Sequence, residues 1–273
     1  MLKLSVLPLR LQFQGEPTEW DLRVLRSVWG CALHQLDRAL WERVFDGQHG
    51  GPDLNPAYVL RTTAIKNEIE WILFGEPAIR QLHVLQRAWD IAGAMGLGKQ
   101  RQPFTVAKWT AMMPDGSQAE AVPSSAWRIG EALWPLGQEA LCAPCVMEFR
   151  EPLRILSSKK LNESPRLIDV IQALCRRLRS LSPNSHPDHL VQESFWCDLA
   201  TRISCTANSW SSGYYGHWSS RQQNVVNQKG VCGRMEFPEG PGNLWPLLSS
   251  TCWTHIGKGY VLGMGRPQIS SLC

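Results

Sequence analysis

Twice along the chain the spacing of apolar residues switches from every second position to every third or fourth and back, in the same order. That order leaves few folds open. The segment KLSVLPLRLQFQ alternates as a half-buried strand does. After it, DLRVLRSVWGCALHQLDRALWERVF carries Leu22, Leu25, Trp29, Leu33, Leu36, Leu40 and Val44 at helical spacing, which predicts one unbroken helix. Beyond the GQHGGPDLNP loop, YVLRTT and EIEWILF predict a strand pair, IRQLHVLQRAWDIAGAMGLG a second helix and QPFTVAKWTAM a closing strand. Pro114 to Pro144 is turn-rich and reads as a linker or a peripheral helix.

Then the order restarts. VMEFREPLRIL predicts a strand, and SPRLIDVIQALCRRLRSL a helix with Ser164 as N-cap and Pro165 in its first turn. GHWSSRQQNVV and VCGRMEF predict a strand pair, NLWPLLSSTCWTHI a helix and YVLGMGRPQI the last strand. Strand, helix, strand, strand, helix, strand is the order of a ferredoxin-like unit. The expected architecture is therefore α+β: two tandem ferredoxin-like (RRM-like, βαββαβ) domains, 1–145 and 146–273, with a glycine-rich loop near the C-terminus. With 44% hydrophobic and 19% charged residues the chain can bury two cores, which argues against disorder. No run of about 18 apolar residues is present, so no membrane partner is expected and the chain reads as cytoplasmic.

Nine cysteines, an odd number scattered along the chain, do not form a disulfide framework. Cys142 and Cys145 make a single CxxC, and without a second pair they read as buried or linker thiols; no metal site or cofactor is expected. His186 and His189 lack a further ligand at metal-binding spacing and read as loop residues. Charge is uneven. Residues 1 to 145 carry 14 Lys/Arg against 15 Asp/Glu, and residues 146 to 273 carry 14 against 9. Of the 28 basic residues 20 are arginine, whose planar fork suits phosphate, so the surplus favours a nucleic-acid partner.

The stretch THIGKGYVLGMGRPQIS holds Gly257, Gly259, Gly263 and Gly265 with Lys258 and Arg266. It fits neither the phosphate loop, which needs a lysine followed by Ser or Thr, nor the GxGxxG dinucleotide fingerprint. Both of those run from strand to helix, whereas this loop runs from a helix to a strand.

Several segments together resemble one family, the CRISPR-associated endoribonucleases of the RAMP superfamily that cut precursor CRISPR RNA within its repeats. They are FREPLRI, HWSSRQQNVV followed by KGVCGRMEF, WGCAL, LFGEPAIRQLHVLQRAWDIAGAMGLGKQRQPF and, most specific, HIGKGYVLGMGRPQI. The SSGYYGHW run departs from the family, which more often has further basic residues there. The resemblance implies a tandem ferredoxin-like fold and a metal-independent cut leaving a 2′,3′-cyclic phosphate. It also implies retention of the mature crRNA hairpin beside other CRISPR effector subunits. The glycines would then let backbone approach RNA phosphates, helped by Lys258 and Arg266.

Such a cut needs a base for the 2′-hydroxyl and cations for the phosphate. Arg23, Ser27, Gly30, His34 and Arg38 follow spacings of 4, 3, 4 and 4 and would share one helix face opposite the leucines. The resembled family often carries its general-base histidine in or just after this helix. That makes His34 the first candidate base, His49 the second, and Arg23 and Arg38 candidate phosphate ligands. The plain alternative is a solvated face whose arginines pair with Asp37 or Glu42. In the later helix Leu167, Val170, Ile171, Leu174, Leu178 and Leu181 form an apolar stripe, leaving Arg176 and Arg179 outward with Arg166 and Arg177 flanking. This arginine-rich helix is either an RNA-stem contact or a basic helix end stabilised by its dipole. Tyr214, Tyr215 and Arg221, near His217 and Trp218, could stack on unpaired bases, although core packing accounts equally well for Trp218. His255 ends an apolar helix and reads as its cap, with a ligand or acid role as the alternative.

The function expected is a metal-independent endoribonuclease for hairpin CRISPR repeat RNA. Its rival is a non-catalytic RNA-binding subunit of the same superfamily. A nucleotide-dependent enzyme is disfavoured by the missing phosphate-loop pattern.

Overall fold

The computed structural model describes residues 4–15, 21–46, 56–130, 142–181, 193–219 and 224–272. These fall into two compact units, one mainly Leu4–Ile129 and the other mainly Gly130–Arg179 with Asn184–Cys273. His49, Arg221, His186 and His189 lie outside the described residues.

In the first unit the chain runs β1 (Ser5–Gly15), α1 (Leu22–Leu36), α2 (Arg38–Trp41), β2 (Tyr58–Thr62), β3 (Glu68–Phe74), α3 (Glu76–Ile79), α4 (Leu82–Met95) and β4 (Phe104–Met112). The sheet is antiparallel in the order β2-β3-β1-β4, the ferredoxin-like arrangement. Register fixes the core. Leu9 pairs with Trp71 and Leu11 with Ile69, so their side chains share a face, and Trp71 meets Trp29 of α1 edge-on at 5.2 Å. Trp29 also stacks on Trp89 of α4 at 5.6 Å and is fully buried. The passage after Pro114 is neither plain linker nor helix over its described part. β5 (Gln118–Glu120) pairs with β4, and β6 (Trp127–Arg128) pairs with the start of β1.

The second unit repeats the topology with other residues. β7 (Cys145–Leu153) leads through a small hairpin, β8 (Leu156–Ser157) and β9 (Lys160–Leu161), to α5 (Leu167–Leu181) and α6 (Glu193–Ala200). Two 14-residue strands follow, β10 (Thr206–Ser219) and β11 (Asn224–Phe237), then α7 (Trp245–Ser249), α8 (Thr251–Thr254) and β12 (Gln268–Ser271). The order β10-β11-β7-β12 is again ferredoxin-like. The predicted apolar stripe of α5 is buried throughout. GHWSSRQQNVV is not one strand, since it ends β10 and begins β11. The last strand starts eight residues later than YVLGMGRPQI implied, because Tyr260–Leu262 forms a 3-10 turn flanked by left-handed Gly259 and Gly263. Among the described residues no helix is long and apolar enough to cross a membrane.

Candidate functional site

The predicted long first helix is broken at Asp37. Its backbone is extended (φ −153°, ψ 96°) and its carboxylate accepts the Leu40 N–H at 2.9 Å, so it ends α1 and caps α2. Arg38 therefore starts a new helix and does not continue the α1 face. Gly30 also leaves the expected stripe: it is buried, and a Cβ there would stand 2.4 Å from the Phe45 ring. Of the five, Ser27, His34 and Arg38 are exposed. The His34 ring lies edge-on to Trp41 at 5.0 Å. Arg23 is held by Asp21, the N-cap of α1, whose carboxylate also accepts the Arg23 N–H at 2.7 Å. Burial pushes the Asp21 carboxyl up, but the hydrogen bonds and charge of Arg23 outweigh it and hold the group below its ordinary value. Arg38 pairs with Glu42 at 3.1 Å, one turn on. Arg26, which the sequence reading passed over, donates to the Tyr58 hydroxyl at 2.7 Å and lies 4.2 Å over the Phe45 ring.

On α5 Arg176 is exposed and Arg179 pairs with Glu193, and just ahead of it Arg166 is exposed beside Asp169 at 3.5 Å. Ser164 is not the N-cap. The Arg166 N–H donates to the Asp169 carboxylate at 2.8 Å, so the helix begins two residues further on. Arg177 is not at the solvent edge of the basic face, since it is 3% exposed. Its guanidinium lies 3.5 Å over the Tyr260 ring and its Nε reaches the Thr254 carbonyl at 3.3 Å. Burial pushes it down to about 10, against the stabilising influence of Tyr260. It is a packing cation beneath the glycine loop, placed there because residue 177 falls between Leu174 and Leu178 on the inner stripe.

The loop itself is a tight backbone knot. The Ile256 N–H donates to the Gly265 carbonyl, the Lys258 N–H to the Arg154 carbonyl and the Gly265 N–H to the Pro152 carbonyl, at 2.9 to 3.1 Å. A Cβ on Gly257 would sit 2.4 Å from the Arg154 oxygen, and one on Gly265 1.9 Å from the Ile256 oxygen. These glycines are required first by backbone approaching backbone. His255 is fully buried, with Nδ1 3.3 Å from the Met264 carbonyl oxygen, and its N–H caps α8. Lys258 is exposed and Arg266 half-buried. Arg154, a further residue the sequence reading left unassigned, donates from Nη1 to the Lys229 carbonyl at 2.5 Å, tying the loop to β11. Lys229 pairs across the hairpin with Tyr214, which is 65% exposed; Tyr215 is half-buried. Of the CxxC pair, Cys142 is exposed and Cys145 buried, its thiol pushed up to about 11 by desolvation. No three His, Cys, Asp or Glu side chains converge as metal ligands among the described residues.

Residues 147–267 match the family model of the CRISPR-associated endoribonuclease Cas6. No curated relative matches the chain. The fold is shared with Thermus thermophilus Cas6 at 13% identity and a TM-score of 0.57, covering 98% of this chain and 99% of that one. A Cas6 product complex gives 15% identity and a TM-score of 0.60, covering 98% and 100%. A Cas6 substrate-mimic complex gives 15% and 0.55, covering 97% and 99%. The resemblance read from the sequence is borne out, and so are the tandem ferredoxin-like domains.

Proposed function

From its resemblance to the CRISPR-associated pre-crRNA-processing endoribonucleases, in sequence over residues 147–267 and in fold over its length, we propose that this chain cleaves CRISPR repeat RNA. The observation that carries the reading is the family match across the whole segment holding α5, the β10–β11 hairpin and the glycine loop. Lys258 and Arg266 on the loop, Arg166 just ahead of α5 and Arg176 and Arg179 on it would hold phosphates, and Tyr214 would stack on an unpaired base.

In the proposed reaction the 2′-hydroxyl attacks the adjacent phosphorus without a metal. The new O–P bond closes a 2′,3′-cyclic phosphate as the bond to the 5′-oxygen breaks. His34, exposed on α1, takes the 2′-hydroxyl proton, and the departing 5′-oxygen must gain one from an acid or water. Arg23 and Arg38 would neutralise the phosphate only by loosening their pairs with Asp21 and Glu42. That pairing favours a second reading, in which the chain holds RNA as a non-catalytic subunit. Retention of the crRNA among other effector subunits is compatible with both.

Labelled hairpin repeat RNA incubated in EDTA, beside RNA with 2′-deoxy at the cut position, separates the two. Cutting of the ribose substrate alone, leaving a cyclic phosphate, and a roughly 10²- to 10⁴-fold slower cut by His34→Ala with binding intact, supports the nuclease. Tight binding of both RNAs without cutting establishes the platform.

A further inference from the structure

The β8–β9 hairpin turns through Ser158 and Lys159, both with positive φ (49° and 66°), since Ser157 pairs with Lys160. Two-residue hairpins of this hand favour Asn-Gly, because a side chain at positive φ is strained. A lysine in the position best suited to glycine costs stability, and such strain points to use elsewhere. The hairpin borders an open polar basin of about 580 Å³ whose lining includes Lys160, Asn162, Glu163, Ser164 and Arg166. Its two carboxylates are already engaged: Glu163 with Lys229 Nζ at 2.5 Å, and Asp169 with Arg166. The Glu163 carboxyl is accordingly held below its ordinary value, chiefly by the hydrogen bond from Lys229.

The basin is continuous with the glycine loop through direct contacts. The Lys258 N–H donates to the Arg154 carbonyl, Arg154 donates to the Lys229 carbonyl, and Lys229 pairs with Glu163 on the basin wall. Along this line stand six cations, Arg154, Lys159, Lys160, Arg166, Lys229 and Lys258, against two carboxylates, Glu163 and Asp169, with exposed Tyr214 opposite Lys229. A row of cations beside an exposed ring, lined with hydroxyl and amide donors, has the chemistry of a polynucleotide backbone site.

We infer that the β8–β9 hairpin and its basin form a second RNA-backbone site, in which Lys159 and Lys160 bind phosphates of the strand leaving the glycine loop. The inference rests on the RNA-cleaving reading and adds an extended footprint to it.

The test measures affinity for uncleavable 2′-deoxy repeat RNA at several salt concentrations. Lys159→Ala with Lys160→Ala removes two phosphate contacts. The slope of log affinity against log salt should become shallower by about 1.4 to 1.8, and affinity near 0.15 M salt should fall roughly 15- to 30-fold. Lys99→Ala, an exposed lysine of the other unit, should leave both unchanged. Ser158→Asn with Lys159→Gly relaxes the turn, so melting temperature should rise while RNA affinity falls. An unchanged slope in the double alanine variant, with the parent protein binding RNA well, overturns the second site and leaves the cleavage reading standing. A parent protein that binds no repeat RNA overturns both.

Discussion

Among the described residues each unit buries one arginine, and the two are accommodated in opposite ways. In the first unit Arg61 of β2 pairs with Glu70 of β3, directly opposite, and Arg10 of β1 approaches the same carboxylate at 3.4 Å. In the second, Arg177 is set over the Tyr260 ring and against a main-chain carbonyl. Ladder register in a sheet places opposite charges side by side, so a buried ion pair there follows directly from the pattern of β2 and β3. A helix packed under an irregular loop offers aromatic faces and carbonyls instead. The first unit thus carries its charge in a regular framework. The second uses its charge to fasten a loop that the proposed chemistry depends on.

Removing the partner breaks the comparison hardest on the sheet side. Glu70→Gln leaves Arg61 buried without its carboxylate and should cost about 3–5 kcal/mol in denaturant unfolding. A loss below about 1 kcal/mol would show that the pair is dispensable. Next comes the loop. Gly265 (φ 67°) and Gly98 (φ 70°) have nearly the same positive φ, but a Cβ on Gly98 meets nothing within 4 Å while one on Gly265 meets the Ile256 oxygen at 1.9 Å. Gly98→Ala should cost about 1 kcal/mol and Gly265→Ala about 3 kcal/mol or more; equal losses would mean the knot yields easily. Arg177→Lys keeps the charge but loses the planar stack and fork, for about 1–2 kcal/mol. If melting is unchanged, Tyr260 does not hold the guanidinium.

The two topologies were legible because period-2 and period-3.6 patterns fix which face of each element is apolar, and Trp29, Trp71, Leu174 and Leu178 all fall on those faces. The break at Asp37 was hidden because Leu36, Leu40 and Val44 keep helical spacing across it, although an aspartate ahead of a helical turn is itself a capping signal. The inward position of Arg177 was masked by residue type: its place between Leu174 and Leu178 is an inner one, but an arginine among arginines reads as solvent-facing. The glycine loop was legible as a place and misread in structure, because the carbonyls of Arg154 and Ile256 that its glycines approach become neighbours only once the chain has folded. The pairing of Arg38 with Glu42 was already the plain alternative offered by their four-residue spacing, whereas the contact of His34 with Trp41 depends on the α1–α2 break.

The smallest effect sharpens the account of the first unit's candidate face. Asp21 has a folded-state pKa below its ordinary value, so its ionised form is worth stability at neutral pH, and that stability is lost as pH falls from the ordinary carboxylate value through the lowered one. Asn can still cap α1, so Asp21→Asn removes the charge and the Arg23 pair while keeping the side-chain oxygen. Because the pair is partly exposed, the expected loss at pH 7 is under about 1 kcal/mol. The difference between parent and variant should shrink towards zero as pH drops below that of the lowered carboxylate. Such convergence in melting curves assigns the effect to ionisation. A gap that persists in acid instead places it in the cap's packing, and Arg23 would then be freer to reach a phosphate than its pairing implies.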